Sequence, residues 1–170
     1  MHLRSALLAL PLAAALAANS QAQSVLKIVP QADLKNLDPV WTTATETSSH
    51  GYMIYDVLFA LDKSLLPKPQ MVESWSKSAD GMTWKFKLRS GLVFHDGTPV
   101  EAKDAVQSLK RWAVRMVSGM TLMQHVSDVV VTSPLEFEIK LKSTFAPVLE
   151  QLSNPAVPLF VMREEEAKVD

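Results

Sequence analysis

Alternating apolar and polar residues predict the clearest strands of this chain. Trp84, Phe86 and Leu88 alternate with polar residues, and a second strand-like segment, residues 73–78, precedes them across Asp80-Gly81. A period of two indicates a strand with one face on a core and the other in water. Asp-Gly between two such segments is typical of a tight hairpin turn, because glycine accepts a positive φ at no steric cost. We therefore predict an antiparallel hairpin here.

A helical period follows in residues 102–116. Its apolar residues recur three or four positions apart, which predicts an amphipathic helix with one buried stripe; they are Ala102, Ala105, Val106, Leu109, Trp112, Ala113 and Met116. Two N-termini are possible for this helix. One is a capping box over residues 98–101 with proline at the first helical position, and the other begins a turn later with Asp104 in the first turn. Ser118-Gly119 predicts the end of the helix.

The remaining elements are shorter. The sequence predicts a buried strand at residues 25–29, a helix at about residues 48–58 with Ser and Thr as caps, and a hairpin of residues 126–132 and 136–141 around Ser133-Pro134. It also predicts a short helix from Pro147 through Leu152 and the first turns of a helix at residues 164–170. The sum is an α+β chain in which helices pack on one side of antiparallel hairpins.

The start of the chain has the three parts of a secretory signal peptide. Arg4 precedes an apolar run at residues 6–18, and small residues stand at Ser20 and Ala22. The run is shorter than the roughly 20 residues that span a bilayer, although a short membrane anchor is the alternative interpretation. No cysteine follows for lipid attachment. We expect cleavage near Gln23 and a periplasmic location.

Composition excludes several classes of function. Without residues 1–22 the chain has about 148 residues, enough for one domain with a core, and loses only one basic residue, Arg4. Its balance of 16 basic and 18 acidic residues gives no field that would attract nucleic acid or an anionic membrane. The absence of cysteine excludes disulfides, thiol catalysis and thiolate metal sites.

Catalytic motifs are also absent from the sequence. There is no Gly-x-Ser-x-Gly and no glycine-rich phosphate loop, and His50, His95 and His125 are too far apart in sequence to pair on a helix. We therefore expect no catalytic residue, no metal and no cofactor. Trp75, Trp84 and Trp112 are interpreted as core, with a ligand cage as the alternative. Trp41, in a threonine-rich loop off any periodic face, is a binding candidate.

An ordered set of motifs in residues 73–109 resembles a known family. The motifs are Glu73-Ser74-Trp75, Asp80-Gly81-Met82-Thr83-Trp84-Lys85-Phe86-Lys87-Leu88-Arg89, Gly91, Phe94-His95-Asp96-Gly97-Thr98-Pro99, Ala102-Lys103-Asp104-Ala105-Val106 and Ser108-Leu109. They resemble the signature region of family 5 solute-binding proteins of ABC importers, which include dipeptide-, oligopeptide- and nickel-binding proteins. Leu37-Asp38-Pro39, residues 55–59 and residues 143–152 fit flanking parts of the family.

The resemblance implies an α/β fold like that of type II periplasmic binding proteins, α+β in the part present. Family members have two lobes that close on a ligand, with an extra subdomain inserted in the first lobe. The chain is then expected to hold a signal peptide (1–22), the first strand and loop of lobe one (23–54) and the extra antiparallel subdomain (55–170). The second lobe would be missing, so the chain is expected to be truncated.

The resemblance also implies the site and the partners. Ligand contacts would come from the loop after Leu-Asp-Pro and from the loop after the long helix, which here are Trp41, Thr42, Thr43 and Thr45, and Gly119, Met120 and Thr121. The implied ligand is a small solute, with peptide as the first expectation and a nickel complex, an opine or an oligosaccharide as alternatives. The implied partner is an ABC permease of the inner membrane, and the protein would be a monomer and not an enzyme.

Three functions remain open at this point. The first is a periplasmic solute receptor that works by closure of two lobes, without chemistry. The second is an exported hydrolase, which would need a nucleophile–base pair or a metal. The third is a truncated product without binding activity, because one lobe cannot enclose a ligand.

Overall fold

The computed structural model describes residues 25–168, so the predicted signal peptide at 1–22 and the last two residues, Val169 and Asp170, lie outside the described residues. Residues 25–30 carry no regular secondary structure and are exposed, with Val29 at 92%. The predicted buried strand at residues 25–29 is therefore wrong. Strand-like composition alone does not make a strand, because a strand also needs a neighbouring strand to pair with.

Residues 31–168 contain four α-helices, one 3-10 turn and six strands. The helices are α1 (Thr45–Ile54), α2 (Ala102–Arg115), α3 (Val117–Met123) and α4 (Val148–Leu152), and the 3-10 turn is Glu166–Lys168. The strands are β1 (Phe59–Leu61), β2 (Pro67–Pro69), β3 (Val72–Lys77), β4 (Thr83–Leu88), β5 (Val126–Ser133) and β6 (Glu136–Leu141). Among the described residues no helix is long and apolar enough to cross a membrane.

Two hairpins form the main sheet, as the alternation predicts. The strand order is β3-β4-β6-β5 and every neighbouring pair is antiparallel. Phe86 on β4 stands opposite Phe137 on β6, and their rings stack with centroids 5.0 Å apart. Both rings are buried in a core that α2 covers by packing against β5 and β6. The predicted α+β arrangement, with helices on one side of antiparallel hairpins, is confirmed.

The turn of the first hairpin is built by Asp80 and Gly81. The Asp80 carboxylate accepts hydrogen bonds from the Ser78 hydroxyl, at 2.6 Å, and from the Met82 amide, at 2.9 Å. These bonds lower the pKa of Asp80, the Ser78 hydroxyl contributing most. Gly81 has a φ of 72°, in the left-handed region that side chains with a Cβ disfavour.

We expect Gly81→Val to lower the free energy of unfolding by about 1–2 kcal/mol, because a β-branched residue is strained at positive φ. Urea denaturation of the purified chain measures the change. Gly81→Asn is the matched control, since asparagine tolerates this conformation and should lose much less. Equal losses for the two variants would show that the φ of this residue does not limit stability.

Helix α2 uses the later of its two predicted starts. Glu101 is the N-cap, and Asp104 accepts a hydrogen bond from the Glu101 amide at 2.8 Å, completing a capping box. The capping box predicted over residues 98–101 does not form. The Asp104 carboxylate is buried and also accepts the Glu164 amide at 2.8 Å, so it serves two segments at once. All seven residues of the predicted stripe are buried.

The predicted end of this helix at Ser118-Gly119 is wrong. The helix ends at Arg115, because Met116 adopts an extended conformation while its side chain stays buried, and α3 begins at once. Gly119 lies inside α3, where a Cβ would come within 2.5 Å of the Ala113 Cα atom. The glycine therefore serves close packing of α3 on α2 and not helix termination.

Helix α1 differs from its predicted bounds of 48–58. It covers Thr45–Ile54, and its N-cap is Ala44, which makes no side-chain capping bond. The Thr47 hydroxyl donates to the Asn36 carbonyl at 2.8 Å, so the threonine ties the helix to the preceding loop instead of capping it. Val57 leaves the helix and pairs with Phe160 as an isolated bridge.

Trp75 is not a core residue, against its predicted role. It is 41% exposed and stacks on the buried Trp84, with ring centroids 5.5 Å apart. The physical reason is that Trp75 lies on β3, an edge strand. Only β4 neighbours β3 in the sheet, so no strand covers the outer side of β3. Trp84 and Trp112, at 4% and 0% exposed, are core as predicted.

Candidate functional site

A tight turn at residues 38–41 starts the candidate site. The Trp41 amide donates to the Asp38 carbonyl at 3.2 Å, and the Asp38 carboxylate accepts the Val40 amide at 3.0 Å. Aspartate followed by proline favours such a turn, since Pro39 fixes its own φ and the carboxylate bonds the amide two residues on. Val40 is buried at 2% and Trp41 is 51% exposed. We call residues 38–45 the Trp41 loop.

Helix α2 holds the Trp41 loop at two points. The Nη1 and Nη2 atoms of Arg111 donate to the two carboxylate oxygens of Asp38, at 3.3 and 2.5 Å. Two parallel bonds between a guanidinium and a carboxylate fix direction as well as distance. One turn later on the same side of the helix, the Arg115 guanidinium lies 4.1 Å from the centroid of the Trp41 ring.

The predicted threonines follow Trp41 in the same loop. Thr42 is partly buried, and its hydroxyl accepts the Ala44 amide at 3.2 Å. Thr43 and Thr45 are exposed, and Thr45 is the first residue of α1. Thr42 therefore shapes the loop, whereas Thr43 and Thr45 offer hydroxyl groups to solvent.

The second predicted segment, residues 119–121, lies in α3. Gly119 is buried against Trp112 and Ala113, and Thr121 donates its hydroxyl to the Val117 carbonyl at 2.8 Å. Met120 is 46% exposed. The structure thus places the Trp41 loop and α3 at the C-terminal half of the same helix, α2. Of the seven predicted residues, Trp41, Thr43, Thr45 and Met120 have exposed side chains.

Sequence reasoning missed several residues of this region. Val114 and Val117 are apolar side chains that are 68% and 63% exposed, at the end of α2 and the start of α3. The signals in the sequence were Val114, an apolar residue outside the buried stripe of α2, and Val117, two residues after the end of that helix. Asp38, Arg111 and Arg115 were also missed as a group, although two arginines four residues apart on a helix share one face.

A cleft of about 480 Å³ lies near Phe94, away from the predicted segments. Its charged groups pair with one another: Arg163 contacts Asp96 at 2.7 Å and lies 4.3 Å from the Phe94 ring centroid. The hydrogen bond from Arg163 is the largest cause of a pKa of Asp96 well below its usual range. Arg163 and Asp96 thus satisfy each other, so neither charge is left unpaired to recognise a ligand in this cleft.

Metal-ligand clusters and catalytic pairs are the other candidate sites in the part of the chain that the structure describes. No three His, Asp or Glu side chains come together as a metal site requires among the described residues. One histidine does contact a serine: Nδ1 of His125 lies 2.8 Å from the Ser143 hydroxyl. The pair is exposed and the imidazole stacks on Phe145, so the serine lies in water and not in a preorganised cleft.

Comparison with known proteins gives a consistent result. Residues 67–169 match the family described as bacterial extracellular solute-binding proteins, family 5 Middle. The chain is 42% identical over 137 residues to the probable peptide ABC transporter periplasmic-binding protein y4tO of Sinorhizobium fredii, covering 79% of this chain and 25% of that protein. It is 30% identical over 159 residues to the glutathione-binding protein GsiB of Escherichia coli, covering 92% of this chain and 31% of that protein.

A solved structure has the same fold over most of the chain. The binding protein MoaA of A. tumefaciens R10, in complex with mannopinic acid, superimposes with a TM-score of 0.68 at 26% identity, covering 80% of this chain and 29% of that one. The predicted type II periplasmic-binding-protein fold is confirmed. The chain spans about a quarter to a third of the length of these relatives.

Proposed function

Because the chain belongs to family 5 of the bacterial extracellular solute-binding proteins, we propose that it forms part of a periplasmic receptor that delivers peptides to an ABC permease. The observation that carries this proposal is the 42% identity to a protein named as a probable peptide-binding component. GsiB, a second relative, is named for glutathione, which is itself a small peptide.

The exposed side chains at the C-terminal half of α2 suit such a ligand. Trp41 and Met120 offer apolar surface for ligand side chains, and the hydroxyls of Thr43 and Thr45 offer polar contacts. Small-molecule sites combine these two features, a largely apolar lining and a few polar groups that fix orientation. We propose that Trp41, Thr43, Thr45 and Met120 are ligand contacts, whereas Thr42, Gly119 and Thr121 shape the surface.

One exposed surface does not enclose a ligand. Pockets for small ligands bury most of the ligand surface, and an open wall leaves much of it in water. We propose that the remaining walls belong to the part of the relatives that this chain does not span, and that binding closes two lobes around the peptide. The 170-residue chain alone would then bind peptides poorly.

A chimera tests this proposal. The 137 residues that align with y4tO replace their counterparts in that protein. The chimera, the unaltered relative and the 170-residue chain are incubated with an equimolar mixture of di- to pentapeptides and mannopinic acid, and retained molecules are identified by mass spectrometry.

We expect the folded chimera to retain peptides and the chain alone to retain almost none. If the chimera retains mannopinic acid but no peptide, the peptide assignment is wrong. If it retains neither, the proposal that this chain forms part of a solute receptor is wrong. Micromolar peptide binding by the chain alone would overturn the proposal that the remaining walls of the pocket lie outside this chain.

A further inference from the structure

We propose that Arg111 and Arg115 are positioning residues, which we call the arginine clamp, and that they hold the Trp41 loop so that its exposed ring faces the ligand. Arg111 contacts the loop through the Asp38 carboxylate. The proposal rests on the proposed function for the identity of the ligand, but the position of the loop is measurable without any ligand.

The burial of Arg111 is the first argument. Its side chain is only 8% exposed, and its Nε atom is buried without a hydrogen-bond partner among the described residues. Taking a guanidinium out of water is costly, and replacing both members of a buried ion pair with apolar residues is often neutral or stabilising. This ion pair, buried on the arginine side and partly exposed at Asp38, is therefore better explained by the arrangement that it fixes than by the stability that it adds.

The connection of Asp38 to Trp41 is the second argument. The same carboxylate that receives Arg111 also accepts the Val40 amide, inside the turn that ends at Trp41. The carboxylate therefore joins the helix to the backbone of the turn that carries the indole. Val40 is buried with Phe160 and Met162, so packing anchors the base of the loop while the ion pair sets its direction.

The stacking of Arg115 is the third argument. Its guanidinium covers Trp41 at 4.1 Å, one helical turn from the ion pair. Trp41 nevertheless stays 51% exposed, so surface remains for another group. Two contacts from one rigid helix leave the loop little freedom to rotate, and a preorganised loop loses less entropy when a ligand binds.

Fluorine NMR of the chain labelled with 5-fluorotryptophan tests the position of the ring. The four tryptophans give four signals, and Trp41→Phe identifies the one of interest. Asp38→Asn keeps an oxygen for the Val40 amide but removes the charge, and Arg111→Gln removes the other partner. Lys110→Gln is the matched control, because it removes an exposed cation next to Arg111.

We expect Asp38→Asn, Arg111→Gln and Arg115→Gln to move the Trp41 signal toward that of the free amino acid. The Trp112 signal should stay in place, since its indole is held by the Val157 carbonyl at 2.8 Å in the core. Lys110→Gln should move neither. An unchanged Trp41 signal in the ion-pair variants, or one that moves only together with Trp112, would overturn the clamp and assign Arg111 to general stability.

The same substitutions in the chimera separate the clamp from the proposed function. We expect the clamp variants to retain about tenfold less peptide from the same di- to pentapeptide mixture, a loss of preorganisation of about 1.4 kcal/mol. If the unsubstituted chimera retains no peptide, the proposed function fails while the NMR result still decides the position of the loop. Full retention by the clamp variants, with a displaced Trp41 signal, would overturn the link to the ligand.

Discussion

Replacing Trp112 with alanine should lower the free energy of unfolding by about 3–5 kcal/mol, the usual cost of deleting a large aromatic side chain from a core. The indole is 0% exposed and lies in the buried stripe of α2. Its Nε1 atom donates to the Val157 carbonyl at 2.8 Å, so the substitution also leaves a buried acceptor without its partner. Urea denaturation of the purified chain measures the loss.

Two variants control this result. Trp112→Phe keeps most of the ring and removes the hydrogen bond, so it should lose clearly less than alanine. Trp75→Ala removes a half-exposed indole that stacks on Trp84, and should lose about 1 kcal/mol, as expected for an exposed aromatic pair. If Trp112→Ala loses no more stability than Trp75→Ala, the Trp112 indole is not buried under α2 as described.

Replacing Gly119 with valine should cost about 3 kcal/mol, at the upper end for overpacking. A Cβ at this position would lie 2.5 Å from the Ala113 Cα atom and 2.8 Å from the Trp112 carbonyl oxygen. Both atoms belong to the backbone of α2 and cannot rotate away, so α3 must move as a unit. Thermal and urea denaturation of the purified chain measure the effect.

Met120→Val is the control for Gly119→Val. It places the same β-branched residue one position along α3, where the side chain is 46% exposed. Its loss should be within about 0.5 kcal/mol, since helix propensity alone separates methionine from valine there. Comparable losses for the two variants would mean that helix propensity, and not close approach to α2, decides the role of the glycine.

The sequence predicts best the elements whose signals are local. The hairpin around Asp80-Gly81 depends on strand alternation and one turn, and all of these lie within a short stretch of chain. The stripe on α2 has the same origin, because a helix brings residues three or four apart onto one face. In these cases the residues that decide the structure are also neighbours in sequence.

Elements that depend on distant partners were not predictable in this way. Residues 25–29 have strand-like composition but no regular secondary structure. Trp75 lies in a strand-like segment, but that strand is at the edge of the sheet and the indole is half-exposed. The break at Met116 is similar: no local signal marks it, and α3, which begins at the next residue, packs closely on α2.

The candidate site shows the same division. The family resemblance predicts the two segments at Trp41 and at Met120, and whether they bind a ligand stays a prediction. What orients the first segment is the pair of Asp38 and Arg111, which are 73 positions apart in sequence. No spacing rule relates residues at that distance, so only the fold reveals the clamp.

Titration calorimetry of the y4tO chimera against the peptide that it retains in largest amount tests the central claim most directly. We expect Trp41→Ala and Thr45→Ala to weaken binding, Trp41→Ala by about tenfold or more. Thr45→Ala should cost no measurable stability, and Trp41→Ala about 0.5–1 kcal/mol for the lost Arg115 contact. Trp75→Ala should lower stability by a similar amount and leave affinity unchanged. Unchanged affinity in Trp41→Ala, or an equal loss of affinity in Trp75→Ala, would contradict the assignment of the ligand surface to the Trp41 loop.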